Sequence, residues 1–444
     1  MTRNSIAFSC LCLLVACNSS SGSGVTVKDA APSPDVAAAT GGTGGSGGTS
    51  ATGGTKGTGG VTATGGSASA TGGSIASGGA TGSGGTTGTG GGTGGRTGTG
   101  GTTASTGGAS GAGGGSCTTP PDPSALVGWA AESGNGTTTT TGGGSATPVT
   151  VTTLADLQNA VKGSTAAVVY VKGVMAAGSV SIGSNKTVVG LCAAEIHGHV
   201  SINGANNVIL RNIKIVGYAV GDCSLDPSYD SSVGCSSGQD AISAQNGHHI
   251  WFDHCDISDG TDGNLDITNG ADFVTVSWTK FHYTPRSDNS GSDSTGAAGH
   301  RYSNLVGGSD SSTSDAGKLS VTWHHNWWAD NAMERMPRVR FGKNHVFNNL
   351  YSSAGDNYCV RAGIQAQILI ENNVFTGVKS PHEFNSSSDQ STAYITAVGN
   401  SYVNTSGTQA TGGGGTAWTN PPYAYTADAT ANLEAAIRSG AGPK

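Results

Sequence analysis

Charge is scarce in this 444-residue chain, and basic charge is scarcest: 21 lysines and arginines stand against 28 aspartates and glutamates. So thin a basic complement argues against a protein that grips nucleic acid, because phosphate recognition needs a positive footprint. Long hydrophobic runs are also missing, and the leading apolar stretch, Ile6 to Ala16, is too short to span a bilayer. Between Gly41 and Ser116 nearly all large side chains are absent: 35 of 76 residues are glycine and most others Thr, Ser or Ala, with only Lys56 and Arg96 charged. Such a stretch cannot bury a core. What remains, Cys117 to Lys444, holds 17 basic and 26 acidic residues, a balance of −9, in 328 positions. That length suits one large domain or two small ones. A polyanionic partner would need a local positive site or a bridging metal.

Arg3 followed by the Ile6–Ala16 run reads as a signal peptide, so export is expected. The run ends in Leu14-Val15-Ala16-Cys17, which resembles the lipobox of bacterial lipoproteins, whose cysteine is acylated and becomes the mature N-terminus. An ordinary cleaved signal is the alternative. Asn18 does not resemble an inner-membrane retention signal, so the expected location is outside the cell, tethered to the outer surface through Cys17. The organisation is then 1–17 signal, 18–116 a flexible Gly/Thr/Ser tether, and 117–444 a folded domain, expected to be a monomer. Six cysteines stay in that domain: Cys117, Cys192, Cys223, Cys235, Cys255 and Cys359. Spacing does not choose among their pairings. Cys223 and Cys235 form the easiest local pair, and Cys255, within an apolar alternation, fits a free core thiol equally well.

Thr153 with Asp156 three residues on forms a capping signal, and Leu154, Leu157 and Val161 share a helical face, so a short helix is expected over Thr153–Val161. A second amphipathic stretch covers Asn432–Ile437. Between them the apolar pattern has period two and recurs: Val208–Ile215, Ile250–Ile257, Val274–Phe281, Leu319–Trp327, His345–Tyr351, Ile368–Phe375 and, more weakly, Ile395–Val403. Asn212, His254, Trp278, Trp323, Asn348, Asn372 and Asn400 serve as register points with a base period of about 24, two intervals being nearly double. Short strands at such a period mean a solenoid whose coils bury their inner faces by stacking. No helix-period segment separates the copies, which leaves an all-β parallel β-helix ahead of a leucine-rich repeat, with a sandwich or propeller as alternatives. The first helix would cap the open end of the stack. The long intervals place projecting loops at about Gly217–Gly238 and Thr284–Gly317.

Asn, His and Trp at register points are read as stacked turn or core residues, including Asn212, Asn348, Asn372, His324 and His325. Other residues break the repeat. Asp262 and Asp266 flank Gly263-Asn264-Leu265, an even offset that keeps two strand side chains on one face, and Asp240 precedes another strand a coil away. Three carboxylates on one face suit a hard, oxygen-liganded cation such as Ca²⁺, although acidic surface residues are more often merely solvated. The basic counterpart is Arg335-Met336-Pro337-Arg338-Val339-Arg340-Phe341-Gly342. Three guanidiniums within six residues of an acidic domain call for carboxylate partners, from the protein or from a ligand.

The runs Ile250–Cys255, Asp262–Thr268, Val274–Trp278, Trp323–Asn326 and Arg335–Gly342, in that order, resemble the pectate lyase family of right-handed parallel β-helix enzymes over roughly Leu126 to Ala436. The resemblance implies calcium ligands at Asp240, Asp262 and Asp266, a catalytic base at Arg335 and a substrate carboxylate site at Arg340. Arg338 and Arg301 are further candidates for substrate binding. Two departures stand out: Gly238 occupies a position where some members have another aspartate, and Tyr302 falls where the family's substrate-binding lysine is expected, with Arg301 or Lys318 as possible replacements. The implied reaction is β-elimination on 1,4-linked galacturonan, with calcium and Arg340 offsetting charge at the substrate carboxylate, Arg335 accepting the C5 proton and the C4–O bond breaking. Calcium and Arg340 are expected to push the Arg335 guanidinium down by like-charge repulsion. A pectin lyase would not need Asp262 and Asp266, a polygalacturonase would need a carboxylate acid/base pair that the sequence does not offer, and a surface adhesin would have no use for Arg335 opposite an acidic triad.

Overall fold

The computed structural model describes residues 120–285 and 300–444. The signal and tether assignments, Cys17 and Cys117 lie outside the described residues, as does part of the second expected loop. Successive strands run on three faces, and each pairs in parallel with the strand three positions further along the chain. Sheet A stacks Ile242–Gln245, Leu265–Thr268, Leu305–Val306, Arg338–Val339, Val360–Ala362 and His382–Phe384. Sheet B stacks Asn206–Arg211, His248–Asp253, Asp272–Ser277, Val321–His324, Lys343–Phe347, Gln367–Glu371 and Tyr394–Val398. Sheet C stacks Lys214–Val216, Asp256–Ser258, Lys280–His282, Trp327–Trp328, Leu350–Tyr351, Val374–Thr376 and Ser401–Val403. The long strand Lys186–Asn203 contributes to all three faces. This is a parallel β-helix.

Each expected repeat copy turns out to be the corner between sheets B and C. Coils turn that corner through a left-handed residue: Asn212, His254, Trp278, His325, Asn348, Asn372 and Gly399 all have φ between 48° and 67°. Asn and His tolerate this region, and glycine enters it freely. The register points Trp323 and Asn400 are therefore off by two residues and by one. Trp323 lies within a strand, and Asn400 is the inward residue after the corner. That inward position carries a buried asparagine ladder. Asn349 Oδ1 accepts the Asn326 N–H at 2.8 Å, Asn373 Oδ1 the Asn349 N–H at 2.9 Å, and Asn400 Oδ1 the Asn373 N–H at 2.9 Å. Each side chain thus satisfies backbone that the turn would otherwise leave unpaired. Under sheet C, Phe281, Trp328, Tyr351, Phe375 and Tyr402 stack with centroids 4.4–5.5 Å apart.

The helix Leu154–Val161 forms as expected. Thr153 Oγ1 accepts the Asp156 N–H at 3.2 Å, and Leu157 and Val161 are fully buried at the N-terminal end of the stack. The helix Leu433–Gly440 packs Leu433 and Ile437 on Leu350 and Val374, covering sheet C from outside. At the far end of the stack Gly412 and Ile395 exchange N–H···O bonds of 2.9 and 2.8 Å, so the last strand is not left bare. Cys223 and Cys235 are bridged, with Cα atoms 5.4 Å apart, while Cys255 and Cys359 are free and buried.

Candidate active site

Sheet A carries the residues that break the repeat. Its inward row, Ala244, Ile267, Val306, Val339 and Ala362, is apolar and buried. Because strand side chains alternate, the neighbouring row faces outward, and the register passes from Ser243 to Asp266, then through Leu305 to Arg338, Arg361 and Glu383. A solvent-facing row of a plain solenoid would be dispersed polar residues. Here the acid Asp266 is followed, two coils on, by the adjacent arginines Arg338 and Arg361, with Glu383 closing the row.

Asp240 and Asp266 face each other across Gly263. A Cβ built on Gly263 would lie 2.9 Å from Asp266 Oδ1 and 3.0 Å from Asp240 Oδ1, so the absent side chain is what keeps a gap between the two carboxylates. Asp240 Oδ2 accepts from Ser243 Oγ at 2.7 Å, and Asp266 Oδ1 from the Leu305 N–H at 3.0 Å. Asp240 Oδ1 is buried and has no hydrogen-bond partner. Burial, with the Asp266 and Asp262 charges added, pushes the Asp240 carboxyl well above the usual range. Burial and Asp262 push Asp266 up to about 7 against the opposing pull of Arg335, the Leu305 N–H and Arg340. A buried carboxylate facing a half-buried one, with a gap between them and a buried orphaned oxygen, is suited to a hard cation. Asp262 does not join them through the expected strand periodicity. It precedes the strand Leu265–Thr268 and pairs with His300 Nε2 at 2.8 Å. Among the described residues no three acidic, imidazole or thiolate groups form a finished ligand cluster.

Gly238 has a steric cause. A Cβ there would lie 2.2 Å from Thr261 Cγ2 and 2.9 Å from Asp226 Oδ2, so an aspartate does not fit. Asp226, from the disulfide-closed loop, accepts the Gln239 N–H at 2.8 Å and Thr261 Oγ1 at 2.6 Å, tying the Asp240 and Asp262 segments together. Sequence reading missed it because an acid in a Ser/Asp-rich loop looks solvated.

Arg335, Arg338 and Arg340 are each more than nine-tenths buried or close to it, at 9%, 9% and 8% exposure. Arg340 Nη1 donates to Gly307 O at 2.9 Å and its Nε to Asp310. Arg338 Nε is buried without an acceptor; burial, with Arg340, Arg335 and Arg361 nearby, pushes its guanidinium down to about 10 despite an opposing contribution from Tyr358. Arg335 behaves oppositely. Burial alone would lower it, but Tyr358, Asp262, Asp266 and Tyr302 together hold it above its ordinary value. Arg335 is thus shifted upward, by Tyr358 first and then by Asp262, Asp266 and Tyr302, opposite to the direction expected from calcium and Arg340. Arg361, absent from the sequence-derived set, lies 3.4 Å from the Tyr358 ring centroid and pairs with Glu383. Arg301 Nη1 donates to Asn331 Oδ1 at 3.3 Å, and Lys318 lies beside Gly270, beyond the strand that carries Asp266.

The pattern of the family described as pectate lyase matches residues 116–443. Pectate lyase A of Aspergillus niger is 35% identical over 304 residues, 66% of this chain and 80% of that protein. Pectate lyase E of Dickeya chrysanthemi is 31% identical over 304 residues, 58% and 69% of the two chains. A solved pectate lyase, studied for its substrate specificity and anti β-elimination mechanism, superposes with a TM-score of 0.55 at 27% identity over 71% of this chain and 96% of its own. A pectate lyase bound to a hexasaccharide gives 0.54 at 26% identity, with the same coverage. With the three-faced coil, the acidic gap and the arginine row in the order the sequence motifs give them, the chain belongs to the pectate lyase family.

Proposed function

We propose that the chain cleaves pectate, the 1,4-linked polymer of galacturonate, by β-elimination on the outer face of sheet A. Pectate lyase activity follows from the family and from relatives at 31–38% identity. The observation that best supports placing it here is the outward row that runs from Asp266 to Arg338 beside two further buried arginines. A −9 domain needs positive groups wherever it meets a polyanion, and this row concentrates them.

Asp240 and Asp266 would hold calcium, with Asp262 joining them on leaving His300. Bound there, calcium supplies positive charge where negative charge develops as the substrate loses its proton. Arg340, fixed by Gly307 and Asp310, binds a uronate carboxylate, and Arg338, with no internal acceptor at Nε, offers a second donor. Arg335 accepts the C5 proton. The electron pair of the C5–H bond forms the C4=C5 double bond, and the C4–O pair leaves with the glycosidic oxygen, which stays on C1 of the neighbouring sugar and takes a proton from water, the hydroxide so formed recovering the proton from Arg335. Tyr358, Asp262, Asp266 and Tyr302 raise Arg335, and a cation at the carboxylates would offset the part that Asp262 and Asp266 contribute. Arg301 is the remaining candidate for substrate contact.

The test is ultraviolet absorbance of products released from polygalacturonate. Unsaturated product that forms with calcium and stops in excess chelator supports this reading. Full activity in chelator points instead to a calcium-independent pectin lyase. The same reading places the protein outside the cell, held through Cys17 and working as a monomer. Cys17→Ser should shift it from the membrane to the soluble fraction; unchanged fractionation would sink the anchor.

A further inference from the structure

Arg335 is held in an unusual way. A buried guanidinium is ordinarily fixed by a fork of hydrogen bonds to a carboxylate, which orients it but binds its protons more tightly. Arg335 Nε is buried without an acceptor. Its orientation comes from a ring: Arg335 Cζ lies 4.2 Å from the centroid of Tyr302. Tyr302 reaches this place through backbone. It forms a parallel bridge with Glu334, the Ser303 N–H donates to Glu334 O at 2.9 Å, and the Asn304 N–H donates to Arg335 O at 2.6 Å. Asn304 is itself anchored inside the coil, accepting from Trp328 Nε1 at 2.7 Å and donating to Leu265 O at 3.3 Å. The segment bearing the ring and the segment bearing the guanidinium are thus clamped together on adjacent coils.

We infer that Tyr302 is a positioning residue for Arg335, its ring face setting the plane and reach of the guanidinium without taking up its N–H donors. The inference rests on Arg335 acting as the base. An aromatic face orients a cation through its quadrupole; Tyr302 adds to what raises Arg335, after Tyr358, Asp262 and Asp266, but it sets the plane of the guanidinium without a hydrogen-bond acceptor at its N–H groups. Misplacing a reacting group by about 1 Å can cost orders of magnitude in rate, so a stacking partner of this kind bears on kcat rather than on substrate affinity.

The experiment uses the full chain with calcium and polygalacturonate, comparing Tyr302→Leu, Tyr302→Phe, Arg335→Lys and the double variant Tyr302→Leu/Arg335→Lys for kcat, KM and melting temperature. Tyr302→Leu should lower kcat about tenfold or more with KM and melting temperature near wild type. Tyr302→Phe, which keeps the ring, should recover most of that loss. In the Arg335→Lys background Tyr302→Leu should cost little more, because the group it orients is gone. Three results would overturn the inference: Tyr302→Leu at wild-type kcat, Tyr302→Phe as impaired as Tyr302→Leu, or the same tenfold loss with Arg335→Lys already present. Failure of the underlying base assignment looks different: Arg335→Lys would itself turn over near the wild-type rate.

Discussion

Sheets A and C are built from the same coils and yet treat their outer faces in opposite ways. On sheet C, Trp327, Leu350 and Val374 are roofed by Leu433 and Ile437, and Trp327 is flanked by Lys280 and Arg438 at 5.1 and 5.0 Å from its ring. Those three groups each have a partner from the chain itself. On sheet A, Asp240 Oδ1, Arg335 Nε and Arg338 Nε are buried and unpartnered. Leaving such groups unpaired costs about 1–3 kcal/mol each. One outer face is thus closed by apolar packing from the chain's own C-terminal helix, while the other gathers charged groups whose buried atoms lack partners.

The contrast can be broken at several points. The largest effect is expected from Arg335→Lys, which keeps charge but changes the reach of the base: turnover should fall about 10²-fold or more with little loss of oligogalacturonate affinity. A folded variant with near wild-type turnover would return Arg335 to the role of structural cation. Next comes Gly263→Ala. Gly263 does not have a positive φ, so the backbone tolerates alanine, but the new methyl group enters the gap between Asp240 and Asp266. The calcium concentration for half-maximal activity should rise roughly tenfold or more, an order-of-magnitude expectation for spoiling a site of this ligand type, and calcium titration of activity checks it. Asn349→Ala tests the satisfied interior. It strips the Asn326 N–H of its acceptor and leaves the Trp323 carbonyl short of a donor, so stability should drop by about 1–3 kcal/mol while turnover per folded molecule stays unchanged. Thermal melting alongside active-site-normalised rates separates the two. Smallest of all is deletion of residues 18–116: with too little apolar content to join a core, its loss should leave melting temperature and turnover on soluble substrate nearly as they were.

What the sequence made legible follows the same division. The B–C corner repeats closely enough that the strands and their period could be read from residue pattern, as could both longer helices, while Cys223–Cys235 stood out only as the easiest local pair among open pairings. The misplaced register points, Trp323 and Asn400, arose because the corner is defined by backbone conformation. Asn, His, Trp and Gly all occupy it, so no single residue type marks it. Sheet A was the least visible. Its strands Leu305–Val306 and Arg338–Val339 are two residues long and too short to show alternation. The site residues on it were found through charge pattern and family resemblance, not through the repeat. Asp226, Tyr302 and Asn304 escaped because their roles depend on contacts between coils, between residues 13 to 39 positions apart. Asp262 shows the limit of periodicity arguments: an even offset from Asp266 aligns side chains only if both residues lie on a strand, and Asp262 does not.

Parallel strands repeat at roughly 4.8 Å across a sheet, so the outward row on sheet A is graduated like a ruler. Arg338 and Arg361 stand one division apart, and Asp266 two divisions from Arg338. A charge on this face moves along the stack only by whole divisions, since changing coil is the only way to travel along the axis. Any polymer that engages several of these groups at once must therefore bring its own carboxylates into step with the coil repeat, by its helical twist or by bending. Adding or deleting one complete coil between Asp266 and Arg338 would change their separation by a full division, at the cost of the contacts that now join those neighbouring coils.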